Sequence, residues 1–143
     1  FPDMLESGTL NTPGIIGLGK GVSFILGTGI TTIRKKKLQL LTRLFNALER
    51  EERITIYSPP PEQNSGILSL SVEEMDSAEA GYILNKNFGI LVRNGLHCAP
   101  YAHQALGTRD KGLVRLSPGF FNSENDMDLV VKALQKIAAG MNS

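Results

Sequence analysis

The chain has one cysteine, Cys98, no tryptophan, two histidines and a net charge of only +1 across 143 residues. A single cysteine excludes an intrachain disulfide and, by itself, a cysteine-rich zinc site. Fifteen Lys and Arg stand against 14 Asp and Glu, so the basic excess that marks a nucleic-acid platform is missing. No apolar run is long enough to span a membrane, and the opening residues do not read as a signal peptide. These absences point to a soluble, cytoplasmic protein of a reducing compartment, with no nucleic-acid or membrane partner. The chain is one domain's worth of residues and can bury roughly 70% of its unfolded surface, enough for a core without staples.

What is plentiful is glycine, 15 residues, above the ordinary usage of about 7%. The chain starts at Phe1 without a methionine, in text that reads as the interior of a longer protein; a fragment is expected. Residues 1–11 show neither helical nor strand period and are expected to form an arm. Thr12-Pro13 reads as a helix start, with a hydroxyl cap before the proline. Ile15 to Leu26 is apolar and small, with Gly14, Gly17, Gly19 and Gly21 interspersed, and should be a helix packed closely on neighbours. Gly27-Thr28-Gly29 breaks it. A second helix is expected from Thr31 or Thr32, with Ile33, Leu40, Leu41, Leu44 and Leu48 on one face and Arg34–Lys37 on its solvated side.

Strands are expected at Ile54–Tyr57, Gly66–Val72, Ile90–Val92 and Leu113–Leu116. Asp76-Ser77-Ala78-Glu79 caps a helix that turns Ala80, Ile83 and Leu84 inward and ends near Gly89. A short helix is expected around Tyr101–Leu106. Ser123-Glu124-Asn125-Asp126 caps the last helix, whose stripe is Met127, Val130, Val131, Leu134, Ile137 and Ala138. The expected fold is mixed α/β: a small, mostly antiparallel sheet of about four strands covered by helices, led by a long helical segment. Residues 12–143 form its single domain.

Three segments invite chemistry. Gly14-Ile-Ile-Gly17-Leu-Gly19-Lys20-Gly21 nearly spells a phosphate loop, but Gly21 stands where the magnesium-binding hydroxyl belongs and no strand precedes it. Arg93-Asn94-Gly95-Leu96-His97-Cys98-Ala99-Pro100 places the lone cysteine in a polar loop beside one histidine, with His103 five residues on. Only a thiolate is a nucleophile, and on spacing alone Cys98 reads equally as an inert thiol; His97, Cys98 and His103 lack a fourth ligand for zinc, and no metal is expected. In Gly112-Leu-Val-Arg115-Leu-Ser an arginine interrupts an apolar strand. Its planar fork needs a carboxylate, either one of the chain's own acids or that of a substrate.

At these residues the chain resembles the C-terminal part of a cysteine desulfurase of the class V aminotransferase family, in its short-loop group. The match runs through Leu5-Glu6-Ser7-Gly8-Thr9-Leu10-Asn11-Thr12-Pro13-Gly14-Ile15, then Arg93 to Pro100 with Ala102-His103 and Leu106-Gly107-Thr108, then Val114-Arg115-Leu116-Ser117 with Phe121-Asn122. The resemblance implies the small C-terminal domain of a fold-type-I transferase dependent on pyridoxal phosphate (PLP). It implies that a thiolate matching Cys98 takes sulfur from L-cysteine as a persulfide, releasing alanine, and hands it to an acceptor protein, as in iron–sulfur cluster assembly. It implies Arg115 on the substrate carboxylate, Arg93 and His97 at the substrate, and Thr9 on the PLP phosphate of the partner subunit in a homodimer.

These enzymes hold PLP on a lysine that follows a histidine, and no such pair exists here: Cys98 follows His97 and Gln104 follows His103. The PLP-binding large domain is therefore expected outside this chain, which alone should hold no cofactor and be inactive. The alternatives are a stand-alone persulfide carrier or binding domain, a selenocysteine lyase fragment, and a thiol hydrolase pairing Cys98 with His103.

Overall fold

A computed structural model describes residues 8–140. The chain divides into two compact units, one ending at Arg34 and the other beginning at Lys35.

The first unit is dominated by α1, Thr12–Thr28. Its cap is Asn11, one residue earlier than the sequence pattern suggests: the Asn11 side chain accepts from the Gly14 amide at 3.1 Å, which leaves Thr12 as the first helical residue. Ser, Thr, Asn and Asp all serve as caps, so Asn11-Thr12 is ambiguous until the geometry is known. None of the residues of α1 is buried. Ile15, Ile16, Leu18 and Leu26 are exposed, and a Cβ placed on Gly17, Gly19 or Gly21 would meet no atom within 4 Å. The close packing expected of these glycines is thus not made within the described residues, whereas the exposed apolar surface is present. No single helix here is long and apolar enough to cross a membrane.

The α2 helix, Ile30–Leu48, starts in the first unit and runs into the second, where Leu40, Leu41, Leu44 and Leu48 are buried. Ile33 is only half-buried. The second unit then adds β1 (Ile54–Ile56), a single 3-10 turn (Pro61–Gln63), β2 (Leu68–Val72), α3 (Ser77–Phe88), β3 (Arg93–Gly95), α4 (Pro100–Ala105), β4 (Leu113–Leu116) and α5 (Glu124–Ala138). The sheet order is β1-β2-β4-β3, with every pair antiparallel. The architecture is mixed α/β, as the sequence leads one to expect.

One strand differs from expectation. Ile90-Leu91-Val92 does not pair; β3 is the polar Arg93-Asn94-Gly95 that follows it. Gly89, left-handed at φ 66°, caps α3 by donating to Asn85 and Leu84, and the apolar triplet is used up leaving the helix. Ile90 and Val92 pack against the core cluster while Leu91 stays exposed.

The core lies on one face of the sheet. Leu68 and Leu70 of β2 stand opposite Leu116 and Val114 of β4, and all four are buried with Leu41 and Leu44 of α2, Leu84 of α3 and Leu134 and Ile137 of α5. The α5 helix is fixed at its start by a capping box: Ser123 Oγ accepts from the Asp126 amide while the Asp126 carboxylate accepts from the Ser123 amide at 2.8 Å. These bonds, with one from Asn122, hold the Asp126 carboxyl below its ordinary pKa.

Candidate functional site around Cys98

Side chains alternate across a strand, so the residues between the core leucines face the other side of the sheet. There the register lines up Ser69 of β2, Arg115 of β4 and Arg93 of β3 in one row. Arg93 and Arg115 are direct cross-strand partners. Like charges set opposite each other work against sheet stability, so this juxtaposition is a cost that folding alone does not explain. Arg115 is half-buried, and its Nε is buried with no hydrogen-bond partner. The strand therefore presents a guanidinium edge whose donor is unused by the described residues, and a planar carboxylate is the group that best satisfies it.

From β3 the chain turns sharply. The Ala99 amide donates to the Leu96 carbonyl at 2.8 Å, closing a four-residue turn. Its two central residues, His97 and Cys98, both have positive φ, 52° and 60°. Successive positive φ values define a type I′ turn, which is ordinarily built from glycine and asparagine. Two side chains held in the left-handed region are strained, and such strain concentrates at functional sites. The turn leaves Cys98 exposed at the apex, with Arg93 Nη2 3.5 Å from its Sγ. The arginine thus lies within hydrogen-bonding distance of the only sulfur nucleophile of the chain.

The two histidines have different surroundings. His97 Nε2 lies 3.2 Å from the Arg93 carbonyl; a carbonyl can only accept, so neutral His97 carries its proton on Nε2 and a lone pair on Nδ1. Burial, followed by the nearby Arg115, His103 and Arg93 charges, holds its pKa below the ordinary histidine value, against the pull of that hydrogen bond. His103 of α4 is buried, with Nδ1 2.9 Å from Thr108 Oγ1. Its ring centroid lies 5.7 Å from that of His97, so it packs beneath the turn and is not open to solvent as a hydrolase base would be. Among the described residues no group of three or more His, Cys, Asp or Glu side chains is placed to hold a metal ion.

The structure thus gathers Cys98, Arg93, His97 and Arg115 at one end of one sheet face. Thr9 is an exposed residue of the first unit. The glycine segment Gly14–Gly21 is helical throughout, so it forms no phosphate loop. A groove of about 350 Å³ lined by Ile90, Leu91, Ser117, Met127 and Val130 lies elsewhere on the second unit and contains none of these site residues. The direct Arg93–Arg115 pairing is not visible in the sequence, because the apolar signal for β3 lies three residues before the strand that forms. No signal in Arg93-Asn94-Gly95 itself marks it as a strand; only its pairing with β4 does.

Comparison with known proteins gives a consistent outcome. The family model described as aminotransferase class-V matches residues 1–130. A probable cysteine desulfurase of Methanothermobacter thermautotrophicus is 35% identical over 140 residues, covering 96% of this chain and 34% of its own length. A cysteine desulfurase of Klebsiella pneumoniae is 31% identical over 138 residues, covering 95% and 32%. Among solved structures, the apo cysteine desulfurase of Thermococcus onnurineus superposes with a TM-score of 0.87 at 28% identity, over 97% of this chain and 34% of that one. The chain spans about a third of the length of the curated relatives it matches.

Proposed function

The chain belongs to the class-V aminotransferase family, and from that premise we propose that it is the small C-terminal, sulfur-accepting part of a cysteine desulfurase, with Cys98 as the nucleophile. The observation that carries this reading is the exposed Cys98 at the apex of a strained turn with the Arg93 guanidinium at its sulfur. An inert structural thiol would be buried, and it would need neither the positive φ nor the arginine.

The residues of this chain do not make a complete PLP site. No histidine is followed by a lysine, and of the candidate residues only Thr9 has a hydroxyl suited to a phosphate. The lysine and the ring contacts would come from outside this chain, and Thr9 would reach the phosphate held by the other subunit of a homodimer. When bound, PLP supplies the electron sink that weakens the carbon–sulfur bond of L-cysteine.

The steps assigned to this chain are these. Arg115 takes the substrate carboxylate on its unused donor edge and fixes the substrate relative to β4. Cys98 thiolate, held beside Arg93, attacks the substrate sulfur. A sulfur–sulfur bond forms and the carbon–sulfur bond breaks with its electron pair left on carbon, which takes up a proton as alanine forms. The persulfide stays on Cys98 at the exposed apex, where an acceptor protein's thiolate can take the outer sulfur. His97, neutral at ordinary pH, adds no further positive charge and sets the turn through its bond to the Arg93 carbonyl.

The test uses the full-length protein with PLP. Cys98→Ala should reduce alanine release from L-cysteine to background while the protein still binds cofactor and substrate. Unchanged alanine release would remove Cys98 from the role and leave the turn without a chemical explanation.

A further inference from the structure

We propose that Ser77, at the start of α3, is a positioning residue for the Cys98 turn, acting through the Gly95 amide. It rests on the reading of Cys98 as the sulfur acceptor. The Ser77 side chain is not needed as a helix cap, because Asp76 fills that place and accepts from the Glu79 amide at 2.8 Å. Ser77 Oγ instead donates to the Lys111 carbonyl at 2.7 Å and accepts from the Gly95 amide at 3.1 Å. Its own amide donates to the same Lys111 carbonyl at 2.9 Å. Donor and acceptor of one buried hydroxyl are both used, and they tie three elements together: the start of α3, the approach to β4, and the end of β3.

The approach to β4 and the end of β3 close tightly on this hydroxyl at Gly112. A Cβ at Gly112 would lie 2.6 Å from Ser77 Oγ and 2.8 Å from Gly95 Cα, so Gly112 lets the strands close onto the hydroxyl. On the next turn of α3, a Cβ at Gly81 would press on the Asn94 side chain at 3.1 Å. The helix thus touches β3 at two successive residues, Asn94 and Gly95. Gly95 is the last residue of β3, and the turn that raises Cys98 begins with Leu96. As an edge strand of three residues, β3 has only β4 as a sheet partner. Without the hydroxyl the Gly95 amide loses its acceptor, and a partly buried orphan amide is destabilising. The end of β3 can then shift, and the strained turn with it. Displacement of a reacting group by about 1 Å can cost as much as 10²-fold in rate, so a hydroxyl remote from the chemistry can govern it.

In the full-length protein with PLP, Ser77→Ala should lower kcat for alanine release about tenfold, with KM for L-cysteine changed by about twofold at most. Hydrogen exchange should rise in the peptide spanning Gly95–Ala99 and stay unchanged in α5. Ser77→Thr, which keeps the hydroxyl, should recover most of the rate. If Ser77→Ala does not accumulate folded, Ser77→Thr against Ser77→Val puts the same question, since the two differ little in shape and only one carries a hydroxyl. Wild-type kcat and wild-type exchange in the variant lacking the hydroxyl would overturn the proposal. So would equal losses in Thr and Val variants. A wild-type protein that makes no persulfide would instead refute the desulfurase reading, and the exchange measurement would still judge Ser77.

Discussion

Strand β4 carries the two regions most worth setting side by side. Val114 and Leu116 point into a core of leucines from β2 and three helices, every one of them buried. Arg115, between them, faces the other way into a row with Ser69 and Arg93, and its Nε has no partner. One face follows the rules of stability: apolar contacts, with α3 and α5 capped by Asp76 and Ser123. The other breaks several within a few residues, with paired cations, two left-handed side chains and an unsatisfied donor. On the proposed reading, local rules fail where chemistry is to be done, and the core face supplies the stability that tolerates those failures.

Substitutions on the core face should dominate stability. Leu70→Ala, from a residue with no exposed surface, should destabilise by about 2–5 kcal/mol, read from chemical denaturation of the full-length protein. Alkylation of Cys98 by iodoacetamide under native conditions should stay near wild type. A large change in alkylation rate would mean that the two faces are not separable. Gly112→Ala, where the faces meet, combines a positive φ of 63° with backbone 2.8 Å from the new methyl. It should cost about 1–3 kcal/mol and, unlike Leu70→Ala, should also disturb Cys98 alkylation.

Smaller effects sharpen the contrast. Ser123→Ala removes half of the capping box and should cost about 1 kcal/mol, with the thiol untouched. Arg115→Met should change stability by no more than about 0.5 kcal/mol, because a buried unpaired donor and a like-charge neighbour disappear together. Yet it should raise KM for L-cysteine by roughly 10- to 100-fold, the worth of a charge-assisted carboxylate contact. The smallest effect is on pH dependence. The Asp126 carboxyl is held low by the Ser123 amide, and Asp128 by its hydrogen bonds to Arg43. Both pKa values are lower folded than unfolded, so their contribution is present above the ordinary carboxylate range and lost as pH falls through the folded values. Asp128→Asn should therefore narrow the stability difference between neutral and acid solution, measured as the shift in denaturation midpoint.

Much of this is legible in the sequence. The helices announced themselves by caps and period: Asp76, Gly89 and Ser123 sit at helix ends, and the Met127–Ala138 stripe is the buried side of α5, with Val131 at its partly buried edge. Strand β4 is legible to the residue, because the apolar Leu113-Val114-Arg115-Leu116 run is bounded by Gly112 before it and Ser117-Pro118 after it. Strand β3 is not, since Arg93-Asn94-Gly95 has no strand propensity of its own and pairs because Leu113–Arg115 offers it an edge. Cys98 could be singled out by being alone, but its left-handed turn could not, as positive φ is uncommon for any residue but glycine and two in succession leave no mark in the sequence. Nor could Ser77, whose hydroxyl reads as helix-capping chemistry until its partners, Lys111 and Gly95, are seen to be far along the chain.

The central claim is that the exposed face exists to take sulfur on Cys98. The direct measurement is mass spectrometry of the full-length, PLP-loaded protein after one turnover with L-cysteine and no acceptor, followed by peptide mapping without reductant. The account predicts one added sulfur atom on the peptide that contains Cys98, removed by dithiothreitol, with an equal amount of alanine formed. Alanine formed with the Cys98 peptide unmodified would contradict it.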